Sequence, residues 1–546
     1  MKKSVFVPFL AVAAALPLPA YSETQNHTAA GGQGPGRLVV TYDGSVSALS
    51  LGPRLASSEI LEVGAENIEA VKAQLASMPG VLKVEEDYWV SNPSLPSQPK
   101  PLNDVVGALS AQPEYSVQQA SATPSDPGFS SQIAWQEPRS GRQGVQDIFA
   151  AYSLATPSRT VRIGVVDSGF YAIEDLRYAQ GYNFASADGF SGRYLENEIA
   201  PDCRTSHGTG VSGVFGAITN NGTGIAGIIN AEIIAARALS CDSSGRVRGV
   251  LTDTALAIRW LAGDPSVSQA PRLQNPVDVI NASIGSQVSR CPGYLQDAID
   301  YAYNKGILTV VAAGNAGENA ANMSPANCRR VVTVAAVQAS GDLAGFSNVG
   351  ANINVAALGT EVLSLDRLGQ LTFWDGTSFS SPIVAGIAGL LRQSSSTELT
   401  PSALADILQS TARSVIQPDG SRVPVVDAKA ALARISAKPR PASASITPFL
   451  NSPERCQTDA YVRNSPQGLA LSRVHEVNAK NLPVVSGQER YTVFASTSTG
   501  SKQMVQQSQE PVFLVRDVDP ASQDLWIDIC DTRGSNCRFN KSQELL

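Results

Sequence analysis

The chain has 546 residues, which exceeds one ordinary domain, so two or three folded units are expected. Hydrophobic residues make up 43% of the chain and charged residues 16%, a composition that supports a sizeable buried core. The formal net charge of −7 provides no electrostatic attraction to nucleic acid or to an anionic membrane. We therefore expect neither class of partner.

The N-terminus has the pattern of an export signal. Lys2 and Lys3 precede an apolar run over residues 5–20, and residues 20–22 read Ala-Tyr-Ser, a small-x-small cleavage site. The run is short and ends at a processing site, so residues 1–22 are predicted to be a signal peptide rather than a membrane span. A buried N-terminal core helix is the weaker alternative. The exported protein is expected to be soluble.

Residues 23–124 contain a predicted small α/β module followed by a linker. The predicted elements are a strand, a helix and a second strand-like stretch, at residues 38–42, 65–78 and 81–90. The last stretch contains the sequence Val-Glu-Glu-Asp at 84–87. Residues 91–124 are rich in Pro, Ser and Gln, which predicts an exposed linker that does not fold alone.

The central part of the chain alternates apolar runs with amphipathic segments. Buried strands are predicted at residues 161–166, 233–239, 277–284, 307–313 and 331–337. Helices are predicted at residues 207–218, 250–262, 294–304, 378–393, 399–412 and 426–435. This alternation predicts an α/β fold with a mostly parallel sheet and helices on both faces.

The C-terminal part is predicted to be a separate module of residues 437–546. It begins with a linker whose sequence, Ala-Lys-Pro-Arg-Pro-Ala-Ser, is rich in proline. Strands are predicted at residues 491–495, 512–515 and 525–529, which indicates a small β-rich unit, with a sandwich as one arrangement. Its function is not legible from the sequence.

Three glycine-containing segments each present a chemically useful side chain. Asp167 ends a strand-like run (Val-Val-Asp-Ser-Gly), His207 begins a small-residue helix, and Ser378 opens an apolar helix (Gly-Thr-Ser-Phe-Ser-Ser-Pro). Each motif alone is weak, because a strand ending in Asp-Ser-Gly is most often a turn and a histidine at a helix start is most often structural. However, His207 is the only histidine between His27 and His475, so any histidine base in this region must be His207.

These side chains would form a nucleophilic site. A serine hydroxyl needs a base to take its proton, which His207 would supply, and Asp167 would orient the imidazole and stabilise its protonated form. Ser378 at a helix start would lie beside free backbone N–H groups. Asn315, in the segment Ala-Ala-Gly-Asn, would add a second donor for a developing oxyanion. The alternative for Asn315 is an ordinary turn residue after Gly314.

The order Asp, His, Ser, with the Ala-Ala-Gly-Asn segment between the last two, resembles the subtilisin-like serine peptidases. The resemblance covers roughly residues 125–435 and implies a subtilisin-like catalytic domain at 125–436. It implies an exported endopeptidase acting through an acyl-enzyme, extracellular or periplasmic, with residues 23–124 as a propeptide and linker removed by self-cleavage. The chain departs from the family at Phe379-Ser380-Ser381, where Met-Ala-Ala or Met-Ala-Ser is common, and at Gly210, where a second histidine is common. These departures affect packing rather than the chemistry.

The resemblance also assigns substrate contacts. They would come from Leu239, Ser283, Ile284, Gly285, Ala312, Ala313 and Gly314. Residues 239–245 would provide an edge that pairs with extended substrate backbone. The small side chains leave room for a large apolar residue of the substrate, although Asp242 lies nearby. For Ser283 and Ile284 the alternative, that they are simply buried strand ends, is equally strong.

The seven cysteines fit an oxidising compartment. Four lie in the central region and allow three pairings. The resemblance favours Cys203–Cys241 and Cys291–Cys328, each worth about 3–4 kcal/mol in the chain-entropy description. A zinc site is disfavoured, because there is no Cys-x-x-Cys spacing or second local histidine. The pairing of the other three is left open: Cys456, Cys530 and Cys537.

The chemistry implied by the resemblance requires no cofactor. The segment Asn-Asn-Gly-Thr at residues 220–223 could donate oxygens to a structural calcium ion or form a plain turn, and no metal ligand is assigned. Expected partners are protein or peptide substrates and the chain's own propeptide as an intramolecular inhibitor, with a monomer as the expected state. Two alternatives are a catalytically silent binding module, which the complete set of reactive residues disfavours, and an esterase, whose Gly-x-Ser-x-Gly motif Ser378 lacks.

Overall fold

The computed structural model describes residues 35–43, 54–55, 58–102, 123–185, 192–196, 205–241 and 246–436, together with seven C-terminal strands. The predicted signal peptide lies outside these residues, as does most of the predicted linker. The chain divides into two compact units, Met1–Arg440 and Pro441–Leu546.

The N-terminal module is an antiparallel sheet with a helix packed on it. Its strands, in sheet order, are Arg54–Leu55, Ser58–Glu62, Arg37–Tyr42 and Val81–Glu86. The helix, Ile68–Ala76, buries Leu75 against Leu38, Val40 and Tyr42. These three side chains share one face because alternate residues of a strand point the same way. The strand Ser58–Glu62 was not predicted.

The main sheet has nine strands among the described residues. In sheet order they are Arg413–Ile416, Arg422–Val425, Val355–Leu358, Val331–Val337, Leu308–Ala312, Val279–Ala282, Arg162–Asp167, Glu232–Arg237 and Tyr178–Asn183. Neighbouring strands are parallel except for the hairpin at one edge, Arg413–Ile416 with Arg422–Val425. The predicted α/β fold with a large, mostly parallel sheet is confirmed.

Helices cover both faces of this sheet. The helices of this region are Ile148–Tyr152, His207–Gly216, Leu251–Leu261, Gly293–Asn304, Thr377–Ser394, Pro401–Ser410 and Ala428–Ser436. One strand shows the two-sided burial: Ile163 and Val165 belong to one hydrophobic cluster, and Val166 to the other. The near-continuous apolar sequence of the strands follows from this, since both faces are buried.

The sequence missed several strands for local reasons. The edge strand Tyr178–Asn183 reads Tyr-Ala-Gln-Gly-Tyr-Asn, which has neither a continuous apolar run nor strict alternation. The strand Val355–Leu358 has only four residues, too few to be distinguished by periodicity. Both strands are completed by their neighbours in the sheet.

The C-terminal unit consists of strands among the described residues. They are Tyr461–Asn464, Val474–Asn478, Glu489–Ser496, Lys502–Ser508, Val512–Arg516, Leu525–Asp531 and Cys537–Lys541. They form a three-stranded and a four-stranded antiparallel sheet. The backbone of Cys530 lies opposite that of Cys537 in the second sheet.

One of the two predicted disulfides is confirmed. Cys291 and Cys328 are bonded, with their Cα atoms 5.0 Å apart. Cys241 is also disulfide-bonded, while its predicted partner, Cys203, lies outside the described residues. In the described part of the chain, no helix is both long enough and apolar enough to cross a membrane.

Asp147 gives the fold a testable pH dependence. Its side chain is buried, and this burial raises its pKa from 3.8 to about 6, although Lys429 lies 3.7 Å away and opposes the shift. Because the folded-state pKa is the higher one, the carboxyl's contribution to stability is present below about pH 4 and is lost as the pH rises through 6.

We therefore expect Asp147→Asn to be more stable than wild type at pH 8, by about 1–3 kcal/mol, and equal to it near pH 4. Asn also suits the left-handed backbone at this position, where φ is 54°. Thermal unfolding at both pH values measures the difference. Lys429→Met is the control: without the opposing cation, the stability of this variant should fall more steeply than that of wild type between these pH values. A pH-independent effect of Asp147→Asn would contradict this account.

Candidate active site

One central strand brings Asp167 to the carboxyl edge of the sheet. Asp167 ends the strand Arg162–Asp167 and is fully buried. Ligand sites of open parallel sheets lie at this edge. The backbone N–H of Ser168 donates to Oδ1 of Asp167 at 2.7 Å, which fixes the carboxylate.

His207 is held against Asp167 by a close backbone contact. It begins the helix His207–Gly216, whose next N–H, that of Gly208, donates to the carbonyl of Ser168 at 2.7 Å. A Cβ atom on Gly208 would lie 2.2 Å from that carbonyl oxygen, so only glycine permits this approach. As a result, Nδ1 of His207 lies 2.8 Å from Oδ1 of Asp167, and the predicted acid–base pair is assembled.

Ser378 lies in the first turn of a long helix. The helix spans Thr377–Ser394, and Ser378 is fully buried. Neither Oγ of Ser378 nor Nε2 of His207 has a hydrogen-bond partner among the described residues. Nδ1 of His207 is thus within hydrogen-bond distance of Asp167, while Nε2 makes no hydrogen bond to Ser378.

A buried polar chain lies behind Ser378. Ser381 donates to the side-chain oxygen of Asn281 at 2.6 Å, and Asn281 donates to Oγ of Ser283 at 3.0 Å. Ser283 in turn donates to the carbonyl of Ser378 at 2.9 Å. Sequence reasoning missed Asn281 and Ser381, although Ser381 stands at one of the departures from the family pattern. This series of hydrogen bonds connects the start of the helix to the strand Val279–Ala282.

The other departures compensate for one another. The Phe379 ring stacks on Trp374 with centroids 5.0 Å apart, and its centroid is 5.5 Å from that of His207. A Cβ on Gly210 would lie 3.1 Å from the Trp374 ring and 3.2 Å from the Phe379 ring. The absence of a side chain at Gly210 therefore leaves room for the two aromatic rings beside the imidazole.

Asn315 is oriented by the residue that precedes the serine. Its Oδ1 accepts from the backbone N–H of Thr377 at 2.9 Å and from the Thr377 hydroxyl at 2.7 Å. Its Nδ2 is thereby turned into the cleft, where it donates to the carbonyl of Ser94 at 3.1 Å. The structure thus brings Asn315 beside the start of the Ser378 helix. Thr377 was not among the predicted site residues.

The cleft contains residues that follow the N-terminal module. Trp89 and Val90 pair antiparallel with Val250 and Gly249. Ser91 exchanges two backbone hydrogen bonds with Gly285, of 3.1 and 2.8 Å. This is the pairing by which an extended peptide adds a strand to an edge. The prediction that the linker is exposed from residue 91 onward is wrong at its start, because Pro93 is buried.

The predicted edge segment, residues 239–245, lies next to the edge that is paired in the structure. The edge that pairs with residues 89–90 belongs to the strand Val247–Val250, after rather than within the predicted segment 239–245. Leu239 is fully buried in the core, and residues 242–245 lie outside the described part. The two-residue strand Ser240–Cys241 forms a hairpin with Val247–Val250, so the predicted segment adjoins the paired edge.

Met323 lies beside two of the remaining predicted substrate-binding residues, Gly285 and Gly314. Ser283, Ile284, Ala312 and Ala313 are buried, and Gly285 is paired with Ser91 as described. Cβ atoms built on Gly285 and Gly314 would lie 2.8 and 3.3 Å from the Met323 side chain. Met323 therefore lies between the two predicted pocket segments, and no sequence signal pointed to it.

Two carboxylates of the N-terminal module dock on helix N-termini. Asp87 accepts from the backbone N–H and hydroxyl of Thr252 at 3.1 and 2.5 Å, and from the Tyr294 hydroxyl at 3.0 Å. Glu85 accepts from the N–H of Gly293 at 2.8 Å. Burial raises the pKa of Asp87, against the effect of these hydrogen bonds. Negative charge at helix N-termini is favourable, so the pair anchors the module beside the cleft.

The loop at residues 220–223 is organised by carboxylates. Asp126 accepts from the N–H groups of Asn220 and Asn221 at 2.9 and 3.2 Å, and Asp175 accepts from the Asn221 side chain at 2.8 Å. The described residues contain no cluster of three or more His, Cys, Asp or Glu side chains suited to a metal ion.

Known proteins resemble this chain in sequence. The Subtilase family model matches residues 158–436. The "Extracellular protease" of Xanthomonas campestris is 34% identical over 400 residues, which cover 68% of this chain and 62% of that protein. The "Extracellular basic protease" of Dichelobacter nodosus is 32% identical over 362 residues, covering 59% of this chain and 58% of the relative. The chain thus spans less than two thirds of the length of these two relatives.

A solved structure described as proteases from Pseudoalteromonas arctica is 34% identical and covers 57% of this chain and 100% of its own, with a TM-score of 0.51. The matched region contains Asp167, His207, Asn315 and Ser378 in the family's order. With the fold, the order of the motifs and the sequence matches in agreement, the chain belongs to the subtilase family of serine peptidases.

Proposed function

We propose that the chain is a secreted serine endopeptidase in which Asp167, His207, Ser378 and Asn315 carry the chemistry. One observation carries the proposal: a segment of the chain lies in the cleft as an added strand and presents the carbonyl of Ser94 to Asn315. A peptide substrate needs the same placement: an extended backbone in the cleft, with a hydrogen-bond donor directed at the carbonyl oxygen that becomes the oxyanion.

The proposed reaction uses only side chains and backbone N–H groups. Ser378 Oγ attacks the carbonyl carbon while Nε2 of His207 takes its proton. Asp167, which lies beside Nδ1 of His207, stabilises the imidazolium. Asn315 Nδ2 and N–H groups at the helix start stabilise the oxyanion. The imidazolium then protonates the leaving amine, and water, activated by the same histidine, hydrolyses the acyl-enzyme.

The remaining predictions complete the proposal. Residues 1–22 direct export, in line with the two relatives named extracellular proteases. The module at 37–90 is a propeptide that inhibits the enzyme until it is cut and degraded. Protein or peptide substrates are the partners, the working form is a monomer, and no cofactor enters the chemistry. We assign no metal to the loop at 220–223 and no role to residues 437–546.

Ser378→Ala tests the nucleophile and the self-processing together. The variant should fold and remain uncut, because nothing else in the proposed mechanism attacks the peptide bond. Wild type should start between residues 91 and 126. Intact mass and N-terminal sequencing measure this, and casein hydrolysis by the variant should be negligible. As a control, wild type should be labelled at Ser378 by an organophosphate. Labelling at Ser380 or Ser381, or normal trimming of the variant in a protease-free preparation, would overturn the assignment.

Asn315→Leu tests the oxyanion donor. Leu is nearly the same size as Asn but has no hydrogen-bond donor. We therefore expect kcat to fall by about 10²–10³, the magnitude known from subtilisin, while KM changes little. Steady-state kinetics on one peptide substrate measure both constants. Thr377→Val is the companion variant: it removes only the hydroxyl that orients Asn315, so kcat should fall by less. A large rise in KM with unchanged kcat would assign Asn315 to substrate binding instead.

Substrate preference tests the pocket. The walls inferred for it, residues 283–285 and 312–314, are small and uncharged, so we expect apolar or aromatic residues before the scissile bond. Profiling with a peptide library measures the preference. Met323→Ala should widen it toward larger side chains, because Met323 fills the space between the two segments. Dominance of Arg or Lys would show instead that Asp242 or another carboxylate reaches the pocket.

A further inference from the structure

The side chain of Asn92 is inserted into the catalytic corner of the cleft. Its Nδ2 donates to Oδ1 of Asp167 at 2.8 Å, and its Oδ1 accepts from the hydroxyl of Ser168 at 2.7 Å. Nδ2 also lies 3.4 Å from the carbonyl oxygen of Ser283 and 3.0 Å from Nδ1 of His207. These contacts use both ends of the carboxamide.

The position of Asn92 is fixed by its neighbour in sequence. Ser91 is held to Gly285 by two backbone hydrogen bonds, so the next residue must enter the cleft at this point. On the other side of Asn92, the carbonyl of Ser94 is held by Asn315. Asn92 is therefore clamped from both sides.

The corner selects a carboxamide over other side chains. A carboxylate at this position would lie beside the carboxylate of Asp167 with like charge. An aliphatic side chain would offer no partner to the hydroxyl of Ser168 and no donor to Asp167. The longer Gln side chain carries the same groups one methylene further and could not place them at the same points while the backbone of Ser91 remains paired.

The insertion conflicts with the function of the acid–base pair. Nδ2 of Asn92, Oδ1 of Asp167 and Nδ1 of His207 lie 2.8–3.0 Å from one another, and only two of these three contacts can be hydrogen bonds at once. If Nδ1 carries its proton, the contact between the two nitrogens joins two donors. If Asn92 donates to Nδ1, the proton is on Nε2, and His207 cannot take the proton of Ser378.

Oδ1 of Asp167 is also shared. It accepts from the N–H of Ser168 at 2.7 Å and from Asn92 at 2.8 Å, and it lies 2.8 Å from Nδ1 of His207. The donor from Asn92 competes with His207 for the oxygen that should stabilise the imidazolium. Nε2 of His207 and Oγ of Ser378 have no hydrogen-bond partner in the described part of the chain, in accord with an arrested pair.

We propose that Asn92 is a specific ligand of the corner formed by Asp167, Ser168 and His207, and that its carboxamide holds the uncut precursor in a slow-turnover state. This inference rests on the proposed peptidase function. It extends to substrates: a peptide with Asn at the corresponding position binds well and is cleaved slowly. Self-processing then requires the Asn92 side chain to leave the corner before His207 can act as a base.

The first experiment uses the full-length precursor. Purified precursors of wild type, Asn92→Ala and Gln98→Ala are allowed to process, and the intact chain is followed by mass spectrometry. Asn92→Ala should process about tenfold faster, because it removes hydrogen bonds to a charged group. The control, Gln98→Ala, alters an exposed side chain of the same segment, beyond the carbonyl that Asn315 holds, and should match wild type. Processing of Asn92→Ala at or below the wild-type rate would overturn the proposal.

The second experiment is independent of how the precursor variants fold. Two synthetic peptides with the sequence of residues 87–97, one with Asn and one with Ala at position 92, are given to mature wild-type enzyme. The Asn peptide should show both a lower KM and a lower kcat, a split that a purely structural contact in the precursor would not produce. Equal constants for the two peptides would overturn the inference alone. If neither peptide is cleaved and no organophosphate labels the enzyme, the proposed function fails as well.

Discussion

The site depends on one backbone contact, between the loop after the strand Arg162–Asp167 and the start of the helix His207–Gly216. The carbonyl of Ser168 accepts from Gly208 at 2.7 Å, and the next N–H, that of Thr209, donates to Gly169 at 3.1 Å. These bonds satisfy donors that a helix start leaves free. Because they place the first residue of the helix over the end of the strand, they set the distance between Asp167 and His207.

The serine side of the cleft depends on a second set of buried polar contacts. The hydrogen-bonded chain from Ser381 through Asn281 and Ser283 ends on the carbonyl of Ser378, and all four residues are fully buried. Buried polar groups without partners are costly, so such a chain tolerates few alternative arrangements. It explains why a serine at position 381 is compatible with the core of the helix Thr377–Ser394.

The N-terminal module meets the rest of its unit through features that also suit a substrate. Its last strands add to the edge that ends at Gly249, and Asp87 and Glu85 use the N-termini of two helices. Charge and backbone pairing therefore fix where the segment after the module enters the cleft. The position of Asn92 follows from this register, since a shift by one residue would turn its side chain away from Asp167.

The sequence determined much of this protein. The apolar runs predicted five strands of the main sheet, because strands buried on both faces must be hydrophobic throughout. The motifs around Asp167, His207, Ser378 and Asn315 were predicted from their order along the chain and their resemblance to the family, since reactive side chains stand in short glycine-containing segments. The pairing of Cys291 with Cys328 followed from family resemblance and is confirmed.

Tertiary structure decided the rest. The edge strand Tyr178–Asn183 carries no apolar pattern and exists because a neighbouring strand satisfies its backbone. The roles of Thr377 and Met323 depend on contacts across the fold. Thr377 contacts Asn315, which is 62 positions away in sequence, and Met323 lies beside Gly285 and Gly314 in two other segments. Asn92 lies in a linker rich in Pro and Ser, and nothing in its sequence neighbourhood indicates a contact with the active site. Only the strand pairing at Ser91 brings it to Asp167, because long-range register is fixed by hydrogen bonds that no local pattern encodes.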